Sequence, residues 1–360
     1  MPLRFVRTEP LEIFAAPPRM TRSTRSPSFR DRKRRTSAAQ SSLVRGTCAI
    51  AALSLLLLTH LPKNISLFPS STGSLSRAPA PRALLTDPAL TFPSQILRPA
   101  PAKPITVLSR TIAGTPLYII TIDLADPETF ISVGLANRAN QANSNRSTKG
   151  DENFAALVRR HRAAITTSGT FFSMDAQKRV MGNLVSGGQF LKYSPSENYG
   201  TTLGIRSGNQ LEMTTARIDG TPKWREHWFS LTAGPRLLRS GTVAINPRKE
   251  GFRDPAVMGS AVRSAIGFTP NRKLLHVTFL TPVSLVREAH IMQALGCHEA
   301  MNLDGGTSLA LAKGGRILRR ANRNLTNVIT VYDVQHPAPS KLRLSWETFQ
   351  TIDDRMAISP

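Results

Sequence analysis

Hydrophobic and polar positions fall into two regimes along this 360-residue chain. From residue 105 to about 333, short runs rich in Ile, Val, Leu, Phe and Thr alternate with clusters of Gly, Asn and Pro; before residue 105 no such alternation is sustained. Runs at 105–108, 116–122, 129–135 and 163–167 predict strands, because β-branched and aromatic side chains fit a pleated, half-buried surface. Phe154, Leu157 and Val158 share one face of a 3.6-residue period and predict a short helix, with Asp151 as its N-cap. Three hairpins follow. The first pairs 184–185 with 190–191 around Ser186-Gly187-Gly188-Gln189, and the second pairs 203–206 with 211–214 around Ser207-Gly208-Asn209-Gln210. The third pairs 264–268 with 274–279 around a turn carrying Pro270 and Asn271. Gly and Asn supply the positive φ that such turns need. A longer helix is predicted from Ser284, its N-cap, through Leu285, Ala289, Met292 and Leu295 to a stop at Gly296. Residues 301–303 read as a buried strand, 309–312 and 328–332 as closing strands, and the stretch after Asp333 as a polar, Pro-containing tail. Hairpins outnumber crossover units, so the pattern predicts an α+β domain with mostly antiparallel or mixed sheet and a few helices.

The first hundred residues change the picture. Residues 1–46 read as a basic disordered tail, with 11 Lys and Arg against 3 Asp and Glu and the run Arg32-Lys33-Arg34-Arg35. Residues 47–61, TCAIAALSLLLLTHL, form an apolar segment behind that positive leader. Its apolar heart is short for a full span of roughly 20 residues and fits the apolar region of a signal peptide. No small-x-small site follows at once, so a signal peptide and a membrane anchor both remain open. Either would keep the basic side in the cytoplasm and place the rest on the periplasmic or extracytoplasmic side, with the membrane as a partner. Residues 62–104 are rich in Pro, Ser and Ala and read as an extended linker. The domain proper is then 105–335, and 336–360 a C-terminal tail.

Composition narrows the partner. The chain carries 47 Lys and Arg against 23 Asp and Glu, a net charge of +24. A third of that excess sits in residues 1–46, and the rest is scattered without the interleaved aromatics of a base-stacking platform, so nucleic acid is not the expected partner. The two cysteines, Cys48 and Cys297, lack the clustering of a thiolate metal site. His161, His276 and His298 show no paired ligand spacing and read as ordinary surface or core histidines.

The densest chemical signal is AMNLDGGTSLAL at 300–311. An apolar strand delivers Asp304 to its C-terminal end, and Gly305 and Gly306 let backbone approach a ligand without a Cβ in the way. Thr307 and Ser308 add hydroxyls and amides suited to phosphate or sugar oxygens. A plain Asp-Gly turn would serve the same local geometry, so the residues alone leave both readings open.

This segment resembles the Asn-Leu-Asp-Gly-Gly-Gly-Ser stretch of the phosphodiester glycosidase family, and four more stretches match in order. ITTSGTFF at 165–172 is similar to the family's Asn-Gly-Gly-Phe-Phe segment, and GNLVSGGQFL at 182–191 to the hairpin after it. LTAGPRLLRSGTVA at 231–244 resembles its Gly-Gly-Pro-x-Leu strand pair, and RSAIGFTPNRKLLHVTF at 263–279 its Arg-Thr-Ala-Ile-Gly hairpin. The resemblance implies hydrolysis of the bond between a sugar's anomeric carbon and phosphate in an envelope or extracellular glycan; no cofactor and no metal ligand is assigned. The alternative is a non-catalytic glycan-binding or exopolysaccharide-assembly protein of the same fold. The phosphate's charge calls for a fixed donor fork, with Arg263 the first candidate and Arg236 the second. The positive anomeric centre calls for a carboxylate, which is Asp304, with Asp175 or Glu299 as a partner. Substrate contacts are expected from Ser168, Gly169, Thr170, Arg236, Asn302, Gly305, Gly306, Thr307 and Ser308. Ser168 and Thr170 stand where the family has Asn and Gly, and Thr307 where it has a third Gly, so either the pocket is retuned to another glycan or catalysis is lost.

Overall fold

The computed structural model describes residues 101–143 and 150–358, with side chains to 351. The predicted basic tail at 1–46, the apolar segment at 47–61 and nearly all of the 62–104 linker lie outside the described residues. Among the described residues, no helix is long and apolar enough to cross a membrane.

Three antiparallel sheets make up the described fold. A seven-stranded sheet runs in the order Val107–Ile112, Thr115–Asp123, Lys273–Phe279, Ser264–Phe268, Glu299–Asn302, Arg236–Arg239 and Thr242–Val243. A second sheet has the order Arg316–Arg319, Leu311–Lys313, Ile165–Ser168, Asn327–Tyr332 and Phe130–Leu135. The third has Gln189–Lys192, Leu184–Ser186, Phe229–Ala233, Thr201–Arg206 and Gln210–Thr215. The main core lies where the three meet: Ile120 and Ile122 from the first, Ile165, Ile329 and Val331 from the second, Leu203 and Leu231 from the third. On the seven-stranded sheet, Leu117 and Ile119 belong instead to a second core with Val277, Phe279 and the helix Leu285–Ala294. Both faces of that sheet are therefore covered, which explains strands that read as continuous apolar runs rather than strict alternation. The helix Phe154–His161 covers the outer face of the second sheet through Phe154, Leu157 and Val158.

The α+β expectation holds at this level, and the departures from it are local. The 154–161 helix is capped by Asn153, whose side chain accepts from the Ala155 amide; Asp151 lies two residues upstream. The 269–273 turn takes its positive φ at Arg272, because Thr269 Oγ1 and its carbonyl close the loop around Lys273 and leave the left-handed position one residue later than Asn271. The largest difference is the tail. Ser340–Ile358 is a helix, and its Leu342, Trp346 and Phe349 pack on the main core. Trp346 meets Trp228 edge-on with ring centroids 4.9 Å apart, and the Trp228 indole donates to Ser345 Oγ at 3.1 Å.

Candidate active site

Asp304 follows the strand Glu299–Asn302, beyond its last paired residue, and its backbone is clamped by two sheets. Its carbonyl accepts from Ser264 Oγ of the seven-stranded sheet at 3.0 Å and from Ser168 Oγ of the second sheet at 3.3 Å. Its amide donates to the Gly169 carbonyl at 3.3 Å. The turn after it needs its glycines: a Cβ on Gly305 would lie 2.6 Å from the Val262 carbonyl oxygen, and Gly306 has φ +57°. The carboxylate is almost fully buried. Burial raises its pKa to about 6, against a hydrogen bond from Ser308 and the charge of Arg323, which lower it.

This carboxyl forms part of the wall of a cavity of about 640 Å³. Of the residues expected at the site, Arg263, Asn302, Asp304, Gly305, Gly306 and Thr307 line it. Ser168, Gly169, Thr170 and Ser308 stand behind the wall. Ser168 holds the Asp304 carbonyl, as above. A Cβ on Gly169 would lie 2.0 Å from Asn327 Oδ1, the atom that accepts from the Thr170 amide at 2.8 Å. Thr170 Oγ1 donates to the Thr232 carbonyl. Ser168, Gly169 and Ser308 contact Asp304, and none of the four lines the cavity.

Two arginines expected to bind phosphate are otherwise engaged. Arg263 spends its fork on protein oxygens: Nε donates to Val283 O at 3.0 Å, and Nη2 to Val257 O at 2.9 Å and Gly259 O at 2.5 Å. Its Nη1 donates to Asn302 Oδ1 at 3.3 Å, and Glu288 stands 3.7 Å from Nε. Asn302 donates onward to Gly234 O at 2.9 Å, so its amide is also in use. Arg236 is buried away from the cavity lining, paired with Glu299 and Asp219. Glu299 is thereby committed to Arg236, and Asp175 lies exposed in a turn where it accepts from Ser173 Oγ at 2.7 Å. Neither lines the cavity.

The cation beside Asp304 is Arg323, in the loop before the strand Asn327–Tyr332. Its Nη2 is 3.4 Å from Asp304 Oδ2, its Nε donates to Ser308 Oγ at 2.5 Å, and its guanidinium lies over the Phe172 ring at 4.3 Å. A lone arginine in ANRNLTN carries no spacing signal; only the chain path makes it a neighbour of Asp304. Arg253 and Asp254 also line the cavity. Arg253 is exposed and makes no hydrogen bond or ion pair among the described residues. Asp254 caps a one-turn helix by accepting from the Ala256 amide at 2.8 Å. The histidines stay clear: His276 is buried with Nε2 3.1 Å from Thr167 Oγ1, His161 packs against Gly134, and His298 is partly exposed beside Glu299.

The fold thus places a buried carboxylate at a strand end, followed by two glycines and paired with a cation in the same cavity wall. Residues 161–332 match the phosphodiester glycosidase family. The catalytic domain of zebrafish N-acetylglucosamine-1-phosphodiester alpha-N-acetylglucosaminidase, auto-inhibited by its pro-peptide, shares the fold. It is 17% identical over 63% of this chain and 82% of its own, with a TM-score of 0.50. A hypothetical protein from Synechocystis is 19% identical with a TM-score of 0.48, over 63% of this chain and 61% of that one, so the chain spans less than two thirds of its length. An exported protein from Burkholderia pseudomallei is 13% identical over 61% of this chain and 74% of its own, with a TM-score of 0.44. No curated protein sequence matches.

Proposed function

We propose that this domain hydrolyses a sugar-1-phosphate diester, with Asp304 at the anomeric carbon and Arg323 at the phosphate. The observation that carries the reading is the pairing of a buried Asp304 with a partly exposed Arg323 in one cavity wall. Cleavage of the anomeric C–O bond leaves a phosphate monoester, which departs with little need of a proton. Water takes its place on the sugar. The positive charge that grows on the ring is stabilised by a carboxylate held in a low-dielectric site. The leaving phosphate is held by a guanidinium whose position is fixed by Ser308 and the Phe172 ring. Asp254 is the other carboxylate of the cavity lining among the described residues and the candidate to orient the water.

The test uses the methyl phosphodiester of α-N-acetylglucosamine 1-phosphate, with kinetics and thermal melts on three variants. Asp304→Asn keeps the shape and loses the charge, and turnover should fall at least about a hundredfold. Arg323→Lys keeps a charge without the fork and should raise KM by about tenfold with little change in melting temperature. Arg263→Lys should do the reverse: its fork holds four protein oxygens, and losing that pattern should cost about 1–3 kcal/mol of stability. Near-normal turnover in Asp304→Asn would make Asp304 a turn residue and end this reading.

A further inference from the structure

The cavity's hydrogen-bonding capacity is concentrated on a few groups. Asp304, Thr307 and Arg323 stand together, Arg323 bonded to Ser308, Asp304 and, through Nη1 at 2.6 Å, the Met174 sulfur, and Arg253 and Asp254 also line the space. The other polar residues of the lining are already used or turned away. Arg263 and Asn302 are bonded to protein oxygens and to each other. The Tyr199 hydroxyl is itself buried, so Tyr199 offers its ring. That ring belongs to an aromatic cluster in the wall: Tyr199 and Phe252 have centroids 5.7 Å apart, and Phe171 and Phe252 5.9 Å, both edge-on. Met174 and Met181 also line the space and are 68% and 42% exposed, among the largest exposed apolar side chains of the described residues.

Resting on the diester reading, we infer that the second arm of the substrate, on the phosphate oxygen away from the sugar, is an apolar alcohol rather than a second sugar. The groups around Asp304 and Arg323 can serve one sugar and one phosphate. A second sugar would set several hydroxyls against Phe171, Phe252, Val257 and Ala261, and each unpaired hydroxyl costs roughly fivefold to a hundredfold in affinity. An alkyl or aryl arm meets the same wall without that cost, and each buried methylene gains about fourfold. The methionines suit such an arm, because an unbranched thioether side chain adapts its shape to an apolar partner. Hydrolysis then places water's oxygen on the anomeric carbon and releases an alkyl phosphate monoester.

Three diesters sharing α-N-acetylglucosamine 1-phosphate and differing in the other arm test this: methyl, octyl (below its micelle concentration) and a 6-linked hexose. The octyl diester should exceed the methyl in kcat/KM by at least tenfold, about 1.4 kcal/mol, and the hexose diester should not exceed the methyl. Met181→Gln, at an exposed position that folding tolerates, should cut the octyl-to-methyl ratio, and Phe252→Leu should cut it further. Equal rates on methyl and octyl, or a preference for the hexose arm, overturn the apolar arm while leaving the diesterase standing. Cleavage of none of the three removes the diesterase and the apolar arm with it.

Discussion

Asp304 is folded into a place that disfavours its charge. Burial lifts its pKa from 3.8 to about 6, so the native state binds that proton more tightly than the unfolded chain does. The stability this group contributes is complete below pH 3.8 and is lost as pH rises through about 6, a loss of up to about 3 kcal/mol. Asp304→Asn, which cannot ionise, should match the wild type below pH 4 and become the more stable of the two above pH 6. Melts of both proteins across pH 4 to about 8 read this as a difference. The comparison cancels Glu250 and Glu288, whose pKa values burial raises to about 7 and about 8. A gap that stays flat with pH would mean that the carboxylate is not desolvated. At the residue scale the sequence exposes only the contiguous part of the site. Asp304 stood out because strand, glycines and hydroxyls are contiguous in the chain. Arg323 did not, because its closeness to Asp304 is a property of the fold. Arg263 matches the family's Arg-Thr-Ala-Ile-Gly hairpin, and nothing local reveals that four carbonyl and amide oxygens consume its fork.

Among the elements, the hairpins were legible because their turns announce themselves. Gly187 and Gly188 have φ of +61° and +71°, and Gly208 and Asn209 +61° and +54°, as the Gly-Gly and Gly-Asn pairs imply. Ser284 likewise caps its helix, accepting from the Arg287 amide at 3.3 Å. The C-terminal helix is hard to read from sequence because its apolar positions Leu342, Trp346 and Phe349 are sparse among polar ones and follow a Pro-Ala-Pro stretch that reads as tail. Its burial comes from contact with Trp228 and with the Gly187-Gly188 turn, where a Cβ on Gly188 would lie 3.5 Å from Phe349. Ending the chain before Ser340 should expose Trp228 and lower the melting temperature by several degrees, since even a half-buried Trp contributes on the order of 1–2 kcal/mol. The helix does not line the Asp304 cavity, so kcat/KM of the shortened protein at low temperature should stay within about threefold of the full chain. Unchanged melting would mean the helix is merely laid on the surface.

For the whole molecule, the pattern of apolar runs specified an α+β class but not three sheets, because pairings such as Asp123 with Lys273 or Leu135 with Asn327 join residues far apart in sequence. Those pairings set the seam on which Asp304 sits. Ser264 from one sheet and Ser168 from another both hold its carbonyl, and across the same seam Thr167 meets His276. A carboxylate fixed this way works as a gauge of sheet docking. Modest heating that loosens the seam, without melting any strand, should misplace it by a fraction of an ångström, and such misplacement is enough to slow catalysis severely. Reversible loss of activity should therefore begin several degrees below the loss of far-ultraviolet circular dichroism. If the two transitions coincide, the sheets part and melt together and the seam has no independent life. If they separate, the fit between sheets limits the proposed activity, and substitutions such as Ser264→Ala, behind the cavity wall, would set the upper temperature at which that activity survives.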